Sequence, residues 1–129
     1  LDGHPRFDHP VGPDGWKSRR LESLARSMLD GISVWSRELV RAPNERSSTI
    51  IAHEIARAKR MTETWEENVR NPLMNGNFNM AQMTLAVTLN IENHLDEFEF
   101  RGTHPALTAW ANRMAERPSL KELLPHLAE

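Results

Sequence analysis

Gly76–Pro118 reads GNFNMAQMTLAVTLNIENHLDEFEFRGTHPALTAWANRMAERP, and the rest of the chain is organised around it. Asn75-Gly76-Asn77 is a turn signal. The next residues, Phe78-Asn79-Met80-Ala81-Gln82-Met83, read as a helix start. Asn79 is the expected N-cap, its side-chain oxygen taking an orphan backbone N–H. Gln82, three residues on, can reach back to complete a capping box, and Phe78 with Met83 can form a hydrophobic staple. The helix that follows carries Met80, Met83, Leu85, Ala86, Val87, Leu89 and Ile91, so it is apolar nearly all round. A short helix without a polar face belongs at the buried centre of a helical domain. Thr103-His104-Pro105 then starts a second helix with Ala106, Leu107, Trp110, Ala111 and Met114 inward, and Arg117-Pro118 stops it.

Upstream, two longer helices are expected. From about Trp16 to Arg41, Leu21, Leu24, Ala25, Met28, Ile32, Trp35 and Leu39 recur at three- and four-residue steps as one apolar stripe. From about Ser47 to Asn71, Ile51, Ile55, Ala58, Thr62, Trp65 and Val69 do the same, with Ser47 and Ser48 as candidate caps. Two such stripes suit antiparallel neighbours in a bundle. The charged run Arg57, Lys59, Arg60, Glu63, Glu66 and Glu67 reads as a solvated face. His53-Glu54 does not make a zinc-protease motif, because position 57 is arginine. Residues 1–15 form a lead-in rich in proline and glycine, residues 16–125 the helical domain and residues 126–129 a tail. Ser119–Leu124 makes one or two short turns, closed by Pro125.

Composition narrows the function classes. The chain has 129 residues, enough for one domain with its own core. A net charge of −2 gives no basic footprint for nucleic acid. No apolar run reaches membrane-spanning length. With zero cysteines, disulfides, thiolate nucleophiles and cysteine metal sites are excluded. Asp2, His4, Asp8 and His9 match no regular metal spacing, and no metal site is expected. The loop with Glu92, His94, Asp96, Glu97 and Glu99 carries Phe98 and Phe100, which are expected to anchor it while the acids face water. There is no GxGxxG, phosphate loop, serine elbow or internal repeat, and spacing suggests no serine–histidine–acid set. No catalytic residue is assigned to this chain.

The capped apolar helix followed by HPALTAWANRMAERPSL resembles the C-terminal helical domain of the glutathione S-transferase superfamily. The pattern HPAL-x-x-W-x-x-R-x-x-x-RPS is its most specific part. LESLARSMLDGISVWSRELV, Leu21–Val40, resembles the first long helix of that domain, Glu54–Val69 the second, and Leu1-Asp2 the end of the segment leading into it. Asn79 and Gln82 depart from the usual Ser or Thr and Asp of the family's box, keeping the capping chemistry without the charge. The resemblance is closest to bacterial members and implies an all-α bundle of about five helices; the zero cysteine count and the lack of a charged-then-apolar start fit a cytoplasmic protein. The resemblance also implies an N-terminal thioredoxin-like domain that is absent here and would activate the glutathione thiol. The chain starts at Leu1, not methionine, and reads as a piece of a longer protein or a short protein with its start trimmed.

In the family the first long helix lines the active-site cleft and the dimer two-fold. Ser27, Asp30 and Val34 share one face of that helix here and are the substrate-binding candidates. Asp30 reads either as a cleft residue or as an exposed or arginine-paired carboxylate. If a domain is missing, the first and third helices should expose apolar side chains where it sat, with Ala25, Leu29 and Trp110 as candidates for that seam. The expected function is the hydrophobic-electrophile wall and dimer contacts of a glutathione-conjugating homodimer, without nucleic-acid or membrane partners. The alternative is a non-catalytic protein-interaction module of the kind found in translation factors and tRNA synthetases.

Overall fold

The computed structural model describes residues 8–122. Among them the chain forms α1 (Pro13–Val40), α2 (Ser48–Asn68), α3 (Met80–Leu89), α4 (Pro105–Ala115) and α5 (Pro118–Lys121), with no strand. Single 3-10 turns at Pro43–Glu45, Pro72–Met74 and Asn90–Asn93 lie between helices. The expected all-α bundle of about five helices is what forms. Residues 1–7, Leu123–Pro125 and the tail lie outside the described residues, and with them Leu1-Asp2, Asp2 and His4.

Side-chain bonds fix the direction of the first two helices. Arg20 Nη2 at the start of α1 donates to Asn68 Oδ1 at the end of α2, at 2.7 Å. Arg57 Nη2 donates to Ser27 Oγ near the middle, at 2.7 Å. Glu38 Oε2 near the end of α1 accepts the Ser47 N–H just before α2, at 2.8 Å. The pairing runs first-to-last, so α1 and α2 are antiparallel. Ser47 also caps α2, its Oγ accepting the Ile50 N–H.

Helix ends differ from the sequence reading for local reasons. Proline at the first position starts a helix well, since its missing N–H has no intrahelical acceptor there. α1 therefore begins at Pro13, after Gly12 with φ of 79°, a conformation that favours glycine. Pro118 likewise opens α5, while α4 has already ended at Ala115.

The core collects Leu21, Ala25, Met28, Ile32 and Trp35 from α1, Ala58, Thr62 and Trp65 from α2, and Leu85, Ala86 and Leu89 from α3. Leu107, Trp110, Ala111 and Met114 join them from α4. Trp35, Trp65 and Trp110 are all at least 98% buried. Truncating a tryptophan in such a site costs about 3–5 kcal/mol. α3 is not buried all round, however. Met80, Met83 and Thr84 are half-buried and Val87 is 43% exposed. These positions follow i, i+3, i+4 and i+7, so α3 keeps one mainly apolar stripe at the surface.

Candidate functional site

The outward face of α1 meets α2 through a polar clamp. Arg57 Nη2 donates both to Ser27 Oγ and to the Ser27 carbonyl, at 2.7 and 2.9 Å. Its Nη1 lies 3.6 Å from Glu54 Oε2. Ser27 is thus tied to the neighbouring helix. Asp30, one turn on, is exposed and has no ion pair or side-chain hydrogen bond among the described residues. It is a free surface carboxylate, not an arginine-paired one. Val34 is half-buried. Of the seam candidates, Ala25 and Trp110 are 0% and 1% exposed within this chain's own core, which leaves them no surface to offer another domain. Leu29 is half-buried and keeps some.

Behind the clamp the two helices approach closely at Gly31. A Cβ there would stand 2.5 Å from Glu54 Oε2 and 3.0 Å from Arg57 Nη1. A Cβ at this position would have to displace the ends of the Glu54 and Arg57 side chains. Glu54 Oε2 is buried without a hydrogen bond among the described residues.

The structure also assembles a serine–histidine–acid chain that spacing did not reveal. His9 Nδ1 lies 2.9 Å from Ser18 Oγ, and His9 Nε2 lies 3.1 Å from Glu22 Oε2. Arg26 holds the other Glu22 oxygen at 2.8 Å. Ser18 sits inside α1, where the backbone amides are committed to helix bonds, so α1 offers no free donors beside the hydroxyl for an oxyanion. The arrangement fastens the residues before α1 to that helix.

The start of α3 is held by amides. Asn79 Oδ1 accepts the Gln82 N–H at 3.0 Å, and Asn79 Nδ2 donates to the Leu73 carbonyl at 2.7 Å. The Gln82 side chain, 1% exposed, donates to the carbonyls of Leu73 and Asn77 instead of reaching back to the cap. Trp110 Nε1 donates to the Met74 carbonyl at 2.8 Å, tying α4 to the same turn. Phe78 lies under the Arg117 guanidinium, 4.2 Å from ring centroid to Cζ.

The charged run of α2 is not uniformly solvated. Glu66 reaches α4, whose own N-cap residue His104 supplies no side-chain cap, and accepts the N–H groups of Ala106 and Leu107 at 2.9 and 2.8 Å. Burial opposes ionisation of this carboxyl. The Leu107 and Ala106 N–H groups, then Arg70 and His104, outweigh it and hold its pKa below the ordinary 4.5. A sequence clue to Glu66 existed only in the uncapped His104-Pro105 start. In the acidic loop, Phe98 and Phe100 are buried, and Glu92 is held by Arg101 Nη2 at 2.7 Å. Among the described residues no three His, Asp or Glu side chains could hold a metal ion, and no helix is long and apolar enough to cross a membrane.

A crystal structure of a glutathione transferase family member from Pseudomonas fluorescens Pf-5, with S-(propanoic acid)-glutathione bound, superposes on this chain with a TM-score of 0.82. The match covers 95% of this chain at 25% identity. The chain has the helical fold of a glutathione transferase C-terminal domain. It spans 62% of the length of that transferase chain. No protein-family model matches the chain, and no curated protein does. In this transferase-type domain, α1 carries the face with Ser27, Asp30 and Val34, and α3 the surface stripe with Met80, Met83 and Val87.

Proposed function

We propose that this domain forms the electrophile-facing wall of a glutathione transferase-like protein. The observation that carries the reading is the superposition on a transferase that holds a glutathione S-conjugate. In such a reaction the glutathione thiol loses its proton, the thiolate sulfur bonds to an electrophilic carbon, and the leaving group departs with its electron pair. Lowering the thiol pKa raises the thiolate population at neutral pH. Ser27, Asp30 and Val34 on α1 are the wall: Val34 offers apolar contact, and Asp30 an unpaired carboxylate for a donor group on the substrate. The thiol-activating group belongs to an N-terminal thioredoxin-like domain, which Leu29 and the α3 stripe are suited to meet. The same reading makes the whole protein a cytoplasmic homodimer.

Conjugation of glutathione to 1-chloro-2,4-dinitrobenzene tests this. The isolated chain should stay at the buffer rate. The full product of its gene should exceed it, with Val34→Trp and Asp30→Asn changing KM for the electrophile. A conjugating isolated chain, or a full gene product that stays at the buffer rate, overturns the proposal.

A further inference from the structure

Asn75-Gly76 is the one place in the chain where an asparagine precedes a glycine. Asparagine is among the chemically labile residues. The backbone nitrogen of the next residue can attack its side-chain carbonyl carbon, Cγ, and close a flat imide ring. Every other asparagine is followed by a side chain that crowds this attack or, at Asn71, by a proline that has no N–H to give up. Glycine has no Cβ and leaves the approach open. Asn75 and Gly76 are both exposed and lie between helices. The Gly76 N–H makes no hydrogen bond among the described residues, so the attacking nitrogen is free.

The tertiary structure adds a latch. Asn75 Nδ2 donates to the carbonyls of Val69 and Asn71, at 2.7 and 3.0 Å. Its Oδ1 accepts from Arg113 Nη2 on α4, at 2.9 Å. The Asn75 ψ is 0°, which eclipses Gly76 N with Asn75 N. A flat imide needs Gly76 N eclipsed with the Asn75 Cβ instead. The latched side chain therefore does not cyclise, and ring closure waits for the turn to open.

We propose that Asn75-Gly76 is a self-modification site whose rate is set by Arg113 and whose product loosens α4. In the opened turn Gly76 N gives up its proton and bonds to Asn75 Cγ. The Cγ–Nδ2 bond breaks, and the nitrogen leaves as ammonia with that proton. Water then splits one of the two imide C–N bonds, giving aspartate or, with the main chain routed through Cγ, isoaspartate. One water enters, one ammonia leaves, and nothing is oxidised or reduced. The product carboxylate has no N–H for the Val69 and Asn71 carbonyls. Isoaspartate also lengthens the backbone directly after Met74, whose carbonyl holds the Trp110 N–H. Both changes act where α4 is tied to the end of α2.

The purified chain, incubated at mildly alkaline pH, is mapped peptide by peptide by mass, and isoaspartyl methyltransferase with labelled S-adenosylmethionine marks the isoaspartate. Asn75 should convert ahead of every other asparagine. Ring closure is slow beside the opening of a turn, so its rate follows the open fraction. Arg113→Ala, at an exposed position, should therefore speed conversion about threefold or more. Gly76→Ala should slow it, since the new Cβ crowds the attack while standing 3.3 Å from the Pro72 carbonyl. Converted protein, separated by ion exchange, should unfold at a lower urea concentration than the parent. An Asn75 that stays intact over many half-lives of the guanidinium-unfolded chain overturns the proposal. So does equal conversion in parent and Arg113→Ala proteins, or converted protein as stable as the parent.

Discussion

Glu66 on α2 accepts the backbone N–H of Leu107 on α4 at 2.8 Å, so one helix caps another across 41 positions of sequence. The second oxygen takes the Ala106 N–H. The N-terminus of α4 thereby receives both a hydrogen-bond acceptor and a negative charge, each favourable at that end of a helix. Glu66→Ala should destabilise the domain by about 1–2 kcal/mol, measured by urea denaturation.

The same contact has a pH signature. The folded pKa of Glu66 lies below the ordinary 4.5, so its stabilisation is fully present above that value and is lost as pH falls through the folded one. The wild type should therefore lose more stability between neutral pH and the acid range than Glu66→Gln does. Equal pH dependence in the two proteins would show that the contact does not act through charge.

Gly31 and Glu54 should be energetically coupled. Alanine normally stabilises a helix interior relative to glycine by about 1 kcal/mol. Here the new Cβ meets Glu54 Oε2, and overpacking costs about 1–3 kcal/mol. Gly31→Ala should therefore be more favourable by about 1 kcal/mol or more in a Glu54→Ala background than in the parent protein. A double-mutant cycle by thermal or urea unfolding reads the coupling.

Asn79 serves as both acceptor and donor, and substitution separates the roles. Asn79→Ala should cost about 0.5–2 kcal/mol as a lost N-cap. Asn79→Asp keeps the acceptor for Gln82 but sets a carboxylate oxygen against the Leu73 carbonyl, where an N–H now donates. Aspartate, ordinarily as good a cap as asparagine, should therefore also destabilise this one. Urea midpoints of the three proteins decide it.

Trp110→Phe should cost about 1 kcal/mol by leaving the Met74 carbonyl without its donor. Asp30→Asn should change unfolding stability by less than about 0.5 kcal/mol, since nothing in the chain depends on that carboxylate. Under the proposed function, an effect of Asp30→Asn on conjugation would then reflect substrate contact and not the fold.

The apolar periodicities of Leu21–Leu39 and Ile51–Val69, the cap at Asn79 and the HPAL helix start are local, and local patterns are written directly in sequence. From them the helices, their inward faces and the transferase-type bundle were legible. Three relationships were not: the Glu66 cap on α4, the Arg57 clamp on Ser27, and the His9–Ser18–Glu22 chain. Each joins residues whose meeting depends on how helices or a lead-in pack, and a charged residue on a helix reads the same whether it faces water or a neighbour's orphan N–H. Ala25 and Trp110 show the converse. Sequence marks them as apolar and inward, but only packing decides that this chain's own core absorbs them. The face left over, Met80, Met83 and Val87 on α3, follows from the same geometry: a helix apolar all round can turn only part of its circumference toward one core.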